Sequence, residues 1–197
     1  MARTRALDYD DKQDAILDAA AAVLAARGYP TTSMNELAEA CGVSKGRIYY
    51  YFDSKEAILF EILKRHVDRL LEQCEAVVRA HDDPRAQLEA LIRATLEIYS
   101  VSRDKHVLVM TSLSFLPPDM QSDIVRRERS FVTLVEKSLK RLGRPAAQGG
   151  HRVVTMLLFG MLNWTYTWYR PGGAVSVDSL VEQATTIFLD GYLARQE

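Results

Sequence analysis

Residues 33 to 56 read SMNELAEACGVSKGRIYYYFDSKE and gather one arginine, two lysines, three consecutive tyrosines and three serines. The chemistry these groups share is recognition of a polyanion that also presents readable edges. An arginine fork bonds guanine O6 and N7 in a pair, lysines neutralise phosphates, and phenols bond phosphate oxygens while their rings touch thymine methyls. Gly46 adds a missing side chain, which lets the backbone come close to a ligand.

Two short helices must carry these groups. Ser33 and Glu36 have the S-x-x-E spacing of a capping box, so a helix is expected from about Met34, with Leu37, Ala38 and Cys41 on its inner face. Gly42 supplies the turn and Ser44 caps a second helix. On a helical wheel from Lys45 to Phe52, Ile48 and Phe52 fall together and should point inward. Gly46 and Tyr50 lie roughly opposite, flanked by Arg47 and Tyr49. Helix, glycine turn, helix is the helix-turn-helix unit. The alternative is an ordinary helix pair in a bundle with amphipathic tyrosines. Asp53 and Glu56 repeat the capping spacing for the next helix, and Lys55 in its first turn opposes the helix dipole unless it meets an anionic group, for which a phosphate would serve.

From about Ile16 to Leu59 the chain resembles the DNA-binding segment of the TetR family of bacterial transcriptional regulators, in which G-V-S-K-G-x-x-Y-x-Y/H-F is followed by x-x-K-x-x-L. Here the run is GVSKGRIYYYF followed by DSKEAIL. The resemblance implies that Lys45 to Tyr51 form the reading helix. Base-reading positions then fall on Lys45, Gly46, Arg47 and Tyr49, and phosphate-clamping positions on Ser33, Ser44, Tyr50, Tyr51 and Lys55. Relatives often carry histidine where this chain has Tyr51. Residues 1–55 would be the DNA-binding domain and residues 56–197 a helical ligand-binding and dimerisation domain, an all-α architecture of about nine helices.

Composition bounds the alternatives. With 48% hydrophobic and 26% charged residues in 197, the chain can bury a substantial core. The charged N-terminus shows no secretory segment, and the longest apolar stretch, Val153 to Leu162, falls well short of the ~20 residues that span a bilayer, so a cytoplasmic protein without a membrane role is expected. Cys41 and Cys74 have no C-x-x-C or Cys/His spacing and read as small buried apolar residues, a redox switch being the weaker reading. The four histidines show no paired ligand spacing, and nucleophile-elbow and phosphate-loop motifs are absent, so neither metal, cofactor nor enzymatic activity is expected. Residues 1 to 60 hold seven Lys or Arg against nine Asp or Glu. Grip on DNA would therefore depend on local placement of cations, with Arg3 and Arg5 on an N-terminal arm that reaches a minor groove or is plain terminus.

Helix punctuation divides the remainder. Helices are expected over about Asp11 to Arg27, Ser54 to Ala80, Pro84 to Arg103, Pro117 to Leu142, Ala147 to Tyr169 and Val177 to Ala194. The segment His106 to Phe115 suits strand or helix and is taken as helix because a strand there would have no partner. The helix through Val153 to Trp168 is apolar almost all round, so it is either a central buried rod or shared between its own core and a second subunit. In the TetR family the last two helices form a dimer interface, which here implies Leu157, Gly160, Met161, Trp164, Trp168, Phe188, Gly191 and Tyr192, and a palindromic operator.

In that family the helices after the reading head enclose a small-molecule pocket. The segment LLFGMLNWTYTWYRPGGAVS resembles members linked to aromatic or fatty acid catabolism, whose inducers are often coenzyme A thioesters. A cationic pocket mouth would then come from Arg126, Arg127, Arg129 and Lys137, for which a solvated helix face is the competing reading. The leading expectation is a homodimeric, ligand-responsive repressor. A helical small-molecule-binding protein without DNA function is the alternative, and a helical enzyme the third.

Overall fold

In the computed structural model the backbone of residues 2–143 and 150–193 and the side chains of 12–143 and 150–191 are described. Among them are nine α-helices, one short 3-10 turn and no strand. The helices are α1 (Ala2–Arg27), α2 (Met34–Ala40), α3 (Lys45–Tyr51), α4 (Lys55–Ala80), α5 (Pro84–Val101), α6 (Arg103–Ser112), α7 (Pro118–Lys140), α8 (Gly150–Trp168) and α9 (Val177–Leu193), with the 3-10 turn Leu113–Phe115 after α6.

By compactness the chain forms two units. One comprises residues 1–66 and 104–125, the other 67–103 and 126–197, so α4 passes from the first to the second after His66. The expected domain boundary at residue 55 falls within the first unit, which also takes in residues 104–125.

The first unit is built around Ile16, Leu17, Ala20 and Leu24 of α1, Leu37 of α2, Ile48 of α3, and Ile58, Leu59, Ile62 and Leu63 of α4, all buried, with Leu108, Leu116 and Ile124 in the same cluster. Helix α1 starts at Ala2, earlier than expected at Asp11: the apolar stripe begins only at Ile16, but no glycine or proline before it interrupts the helix. The side chains of Arg3 and Arg5 lie outside the described residues. Helix α1 stops at Gly28, whose φ of 89° only glycine adopts readily, and whose N–H bonds Leu24 O at 2.9 Å. Ion pairs Arg65–Asp14 and Lys105–Asp18 tie α1 to α4 and α6.

The second unit packs α5 against α8 and α9. Its core takes Leu88, Leu91, Ile92 and Leu96 from α5, Phe131, Val135 and Leu139 from α7, Leu158, Phe159 and Leu162 from α8, and Leu180, Val181 and Leu189 from α9. The residues from His106 are helical, as α6 and the 3-10 turn. Helices α5, α7 and α8 end one or two residues earlier than expected, at Val101, Lys140 and Trp168. The expected ends at Ala147 and Ala194 lie outside the described residues. Cys74 and Thr95 approach at 3.9 Å in this core, and burial pushes the Cys74 thiol up to about 11. Cys41, half-buried, is also raised by burial, and thiols held protonated are poor nucleophiles.

Candidate nucleic-acid interface and effector cleft

The capping box forms as its spacing requires. Glu36 N–H donates to Ser33 Oγ at 3.3 Å, and Ser33 N–H donates to Glu36 Oε2 at 2.8 Å. That backbone bond, with the Ser33 hydroxyl second, holds the Glu36 carboxyl below its ordinary range. After α2, Gly42 turns the chain at φ 65° and Val43 N–H reaches back to Ala38 O at 3.0 Å. Ser44 then caps α3 by accepting from Arg47 N–H at 3.2 Å.

Helix α3 is fixed from one side. Ile48 and Phe52 are buried in the core of the first unit, while Ser44, Lys45, Gly46, Arg47, Tyr49 and Tyr50 are exposed. Tyr50 stands 71% exposed. Tyr51 is half-buried, packs against the core, and meets Tyr50 edge-on with ring centroids 5.2 Å apart. Apart from its chain neighbours and the nearby backbone of its own helix, nothing lies within 4 Å of where a Cβ on Gly46 would stand, so this spot is open for a ligand's close approach. Ser33 is exposed at the start of α2, and α2 packs against α3.

Lys55 differs from the rest of the set. Its ammonium donates to Tyr29 O at 2.8 Å and Thr32 O at 2.7 Å and lies 4.2 Å from the centre of the Tyr29 ring. The anionic partner expected at the start of α4 is thus supplied by backbone carbonyls and a π face. Ser54, directly before α4, caps it by accepting from Ala57 N–H at 3.1 Å, where Asp53 had been expected to do so. Glu56 accepts from the Tyr29 hydroxyl at 2.7 Å, a bond that lowers the carboxyl. Burial first, and that bond second, raise the phenol.

In the second unit, α8 is not a rod buried on every side. Leu158, Phe159, Leu162, Thr165 and Tyr169 are buried, but Leu157 is 68% and Trp164 63% exposed, and Val153, Met156, Gly160 and Trp168 are exposed beside them. Ile187 and Gly191 of α9 are exposed too. Met161 and Phe188, expected on the same face, are half-buried and pack against the unit's own core, and Tyr192 lies outside the described side chains. Val153, Met156 and Ile187 belong to the exposed apolar set and were missed. Extending the stripe through Trp164 by three- and four-residue steps would have found Val153 and Met156.

Arg126, Arg129 and Lys137 come together with Arg141 along a cleft of about 610 Å³, lined on the facing side by Leu71, Glu75, Val78 and Gln87. Arg127 instead pairs with Asp68. From Arg126 to Arg141 the wall runs roughly 22 Å at the helical rise. Glu75 on the facing wall pairs with Arg79, and the four basic side chains along the other wall give the cleft a cationic side that an extended anionic ligand would match.

Among the described residues no group of three metal-ligating side chains occurs, and no helix is long and apolar enough to cross a membrane.

Comparison with known proteins agrees with this geometry. Residues 16–62 match the model described as "Bacterial regulatory proteins, tetR family", and residues 81–192 match "Tetracyclin repressor-like, C-terminal domain". The HTH-type transcriptional repressor KstR2 of Rhodococcus jostii (strain RHA1) is 30% identical over 188 residues, covering 89% of this chain and 88% of that one. A TetR-family transcriptional regulator from Bordetella parapertussis 12822 superposes with a TM-score of 0.86 at 43% identity, over 94% of this chain and 97% of its own. AibR, solved in complex with isovaleryl coenzyme A and operator DNA, gives 0.79 at 26% identity, over 89% and 97%. A helix-turn-helix that presents its polar face outward, continued into a helical C-terminal domain matched along most of its length, makes this chain a member of the TetR family of bacterial transcriptional regulators.

Proposed function

We propose that the chain is a homodimeric, sequence-specific repressor that binds a palindromic operator and is released by a small apolar thioester of coenzyme A. The observation that carries the DNA reading is α3 itself: Ile48 and Phe52 seat the helix, and Lys45, Gly46, Arg47, Tyr49 and Tyr50 face out. Lys45, Gly46, Arg47 and Tyr49 would read bases. Ser33, Ser44, Tyr50 and Tyr51 would hold phosphates, and Lys55 would act through the loop it fixes.

The exposed apolar face of α8 and α9 supports pairing with a second copy. Leu157, Gly160, Trp164, Trp168 and Gly191 would form its middle, with Met161, Phe188 and Tyr192 at its margin. A two-fold pair places two reading helices in successive major grooves, about 34–36 Å apart, which is what a palindrome matches. The cationic cleft with Arg126, Arg129 and Lys137 supports a phosphate-bearing effector, as does the likeness to a regulator solved with isovaleryl coenzyme A. Such an effector and the operator must weaken each other's binding by one common factor.

The test is selection of binding sites from random double-stranded DNA, followed by titration of the best site at two salt concentrations. An enriched palindrome whose affinity falls steeply with salt is expected, since each neutralised phosphate contributes a slope of about −0.9. No enrichment would favour a ligand-binding protein without DNA function. Acyl and aryl thioesters that neither raise the melting temperature nor release the operator would remove the effector assignment.

A further inference from the structure

The segment from Gly28 to Ser33, which delivers the start of α2 to the DNA-facing surface, is held by side chains from elsewhere in the first unit. Lys55 bonds the carbonyls of Tyr29 and Thr32, and Glu56 takes the Tyr29 hydroxyl. Thr32 Oγ donates to Gly28 O at 2.9 Å. A further contact comes from the corner between α6 and α7. There the Phe115 ring stacks on Tyr29 with centroids 5.0 Å apart and planes 19° from parallel.

Phe115 is 41% exposed, whereas the Tyr29 it covers is buried. The exposed ring covers one face of Tyr29, and a stacked aromatic pair stabilises beyond the area it buries, so the stack helps to fix Tyr29 in place. The corner is in turn fastened to α7: Gln121 donates to Leu116 O at 2.7 Å, and Leu116 is buried in the core beside it. Helix α7 runs without a break from Gln121 to the cleft residues Arg126, Arg129 and Lys137.

We propose that Phe115 and Tyr29 are positioning residues for the DNA-contacting surface. The stacked pair fixes where Ser33 and the first turn of α2 stand, so the α6–α7 corner sets operator affinity without touching DNA. This rests on the DNA reading given above for Ser33 and α3. Loss of the Phe115 ring frees Tyr29, loosens the Lys55 bonds to the two carbonyls beside it, and lets the capping box drift relative to α3. Every operator sequence then loses affinity alike, because phosphate contacts and not base contacts are displaced.

The experiment compares the full-length chain with Phe115→Ala and Phe115→Tyr by amide hydrogen exchange and by operator titration. Phe115→Ala is expected to speed exchange of the amides of residues 29–36 by about tenfold while those of α8 and α9 stay unchanged, since local opening is read segment by segment. Its affinity for every operator variant should fall by about tenfold, within the usual range of couplings between distant sites. Phe115→Tyr keeps a ring on Tyr29 and should restore both. The proposal is overturned if Phe115→Ala, folded by circular dichroism, leaves exchange at 29–36 or operator affinity unchanged, or if Phe115→Tyr is as impaired as alanine. Should the wild-type chain select no DNA sequence, the DNA reading fails, and the exchange of residues 29–36 alone decides whether the pair fixes the segment.

Discussion

The two compact units dispose of their apolar side chains in opposite ways. In the first, α2 and α3 spend theirs on the internal core and leave lysine, arginine, serine and tyrosine outside. In the second, α8 buries one stripe and leaves another, as apolar as the first, on the outside. Neither outer face is what a solitary helical domain would present. The difference teaches that the chain exposes two chemically opposite surfaces, one of cations, hydroxyls and phenols and one of apolar side chains, and the proposed partners differ accordingly.

The strongest attack on that contrast is a charge on the apolar side. Leu157→Glu leaves the chain's own fold intact, because the side chain faces outward, but a two-fold interface would carry the carboxylate twice. An unpaired charge buried there costs about 3–5 kcal/mol per site, enough to dissociate a micromolar or nanomolar dimer. Sedimentation equilibrium should show monomer for the variant and dimer for the wild type. An unchanged dimer, or a monomeric wild type, would break the assignment of this face.

The matching change on the other unit acts from inside. Ile48→Ala removes the residue that seats α3, and emptying a fully buried site of this kind costs about 2–5 kcal/mol. The loss should appear as faster exchange in α1 to α3, with the amides of α9 protected as before. Equal loosening of both units would show that they do not open independently.

Outer-face changes sharpen the comparison further. Arg47→Ala should cost about 1–3 kcal/mol at one base step of the operator and little elsewhere. Lys55→Ala should weaken all sequences alike and also lower the melting temperature, because its ammonium holds the carbonyls of Tyr29 and Thr32. Titrations against a set of single-step operator variants distinguish the two patterns. Uniform loss in both mutants would remove Arg47 from base reading.

Much of this was legible in the residues. Ser33, Glu36, Gly42 and Ser44 act locally, through bonds no more than a few residues long, and short-range chemistry is what a sequence displays. The inward pair Ile48 and Phe52 follows from helical period alone. Lys55 shows where that kind of legibility ends. Its partners stand twenty-three and twenty-six residues away, so a cation that looked ready for a phosphate is already engaged within the fold. Arg127 repeats the lesson: it sits beside Arg126 and Arg129 in the chain, yet one residue along a helix turns it toward Asp68 and away from the cleft. Met161 and Phe188, expected in a dimer interface, are half-buried against their own core, a degree of cover that an apolar run on an apolar helix does not announce.

The smallest expected effect separates the two units by pH. Glu56 belongs to the first unit, and the Tyr29 hydroxyl bonded to it lowers its carboxyl. A depressed folded-state value means the stabilisation is complete above the ordinary carboxylate range and is lost as pH falls through the lowered one. Glu128 belongs to the second unit, on the α7 stripe that also carries Phe131, Val135 and Leu139, and burial raises its carboxyl. A raised value reverses the sign: the favourable state is the protonated one, fully present below the ordinary range and lost as pH rises. Both side chains keep some contact with water, so each effect should stay under about 1 kcal/mol. Glu56→Gln should therefore lower stability at pH 7.5 and lower it by less at pH 4, whereas Glu128→Gln should raise stability at pH 7.5, an advantage that shrinks at acid pH as the wild-type carboxyl takes up its proton. Denaturant titrations at the two pH values decide it, and a loss of stability in Glu128→Gln at pH 7.5 would show that the carboxylate has found a partner that offsets its burial.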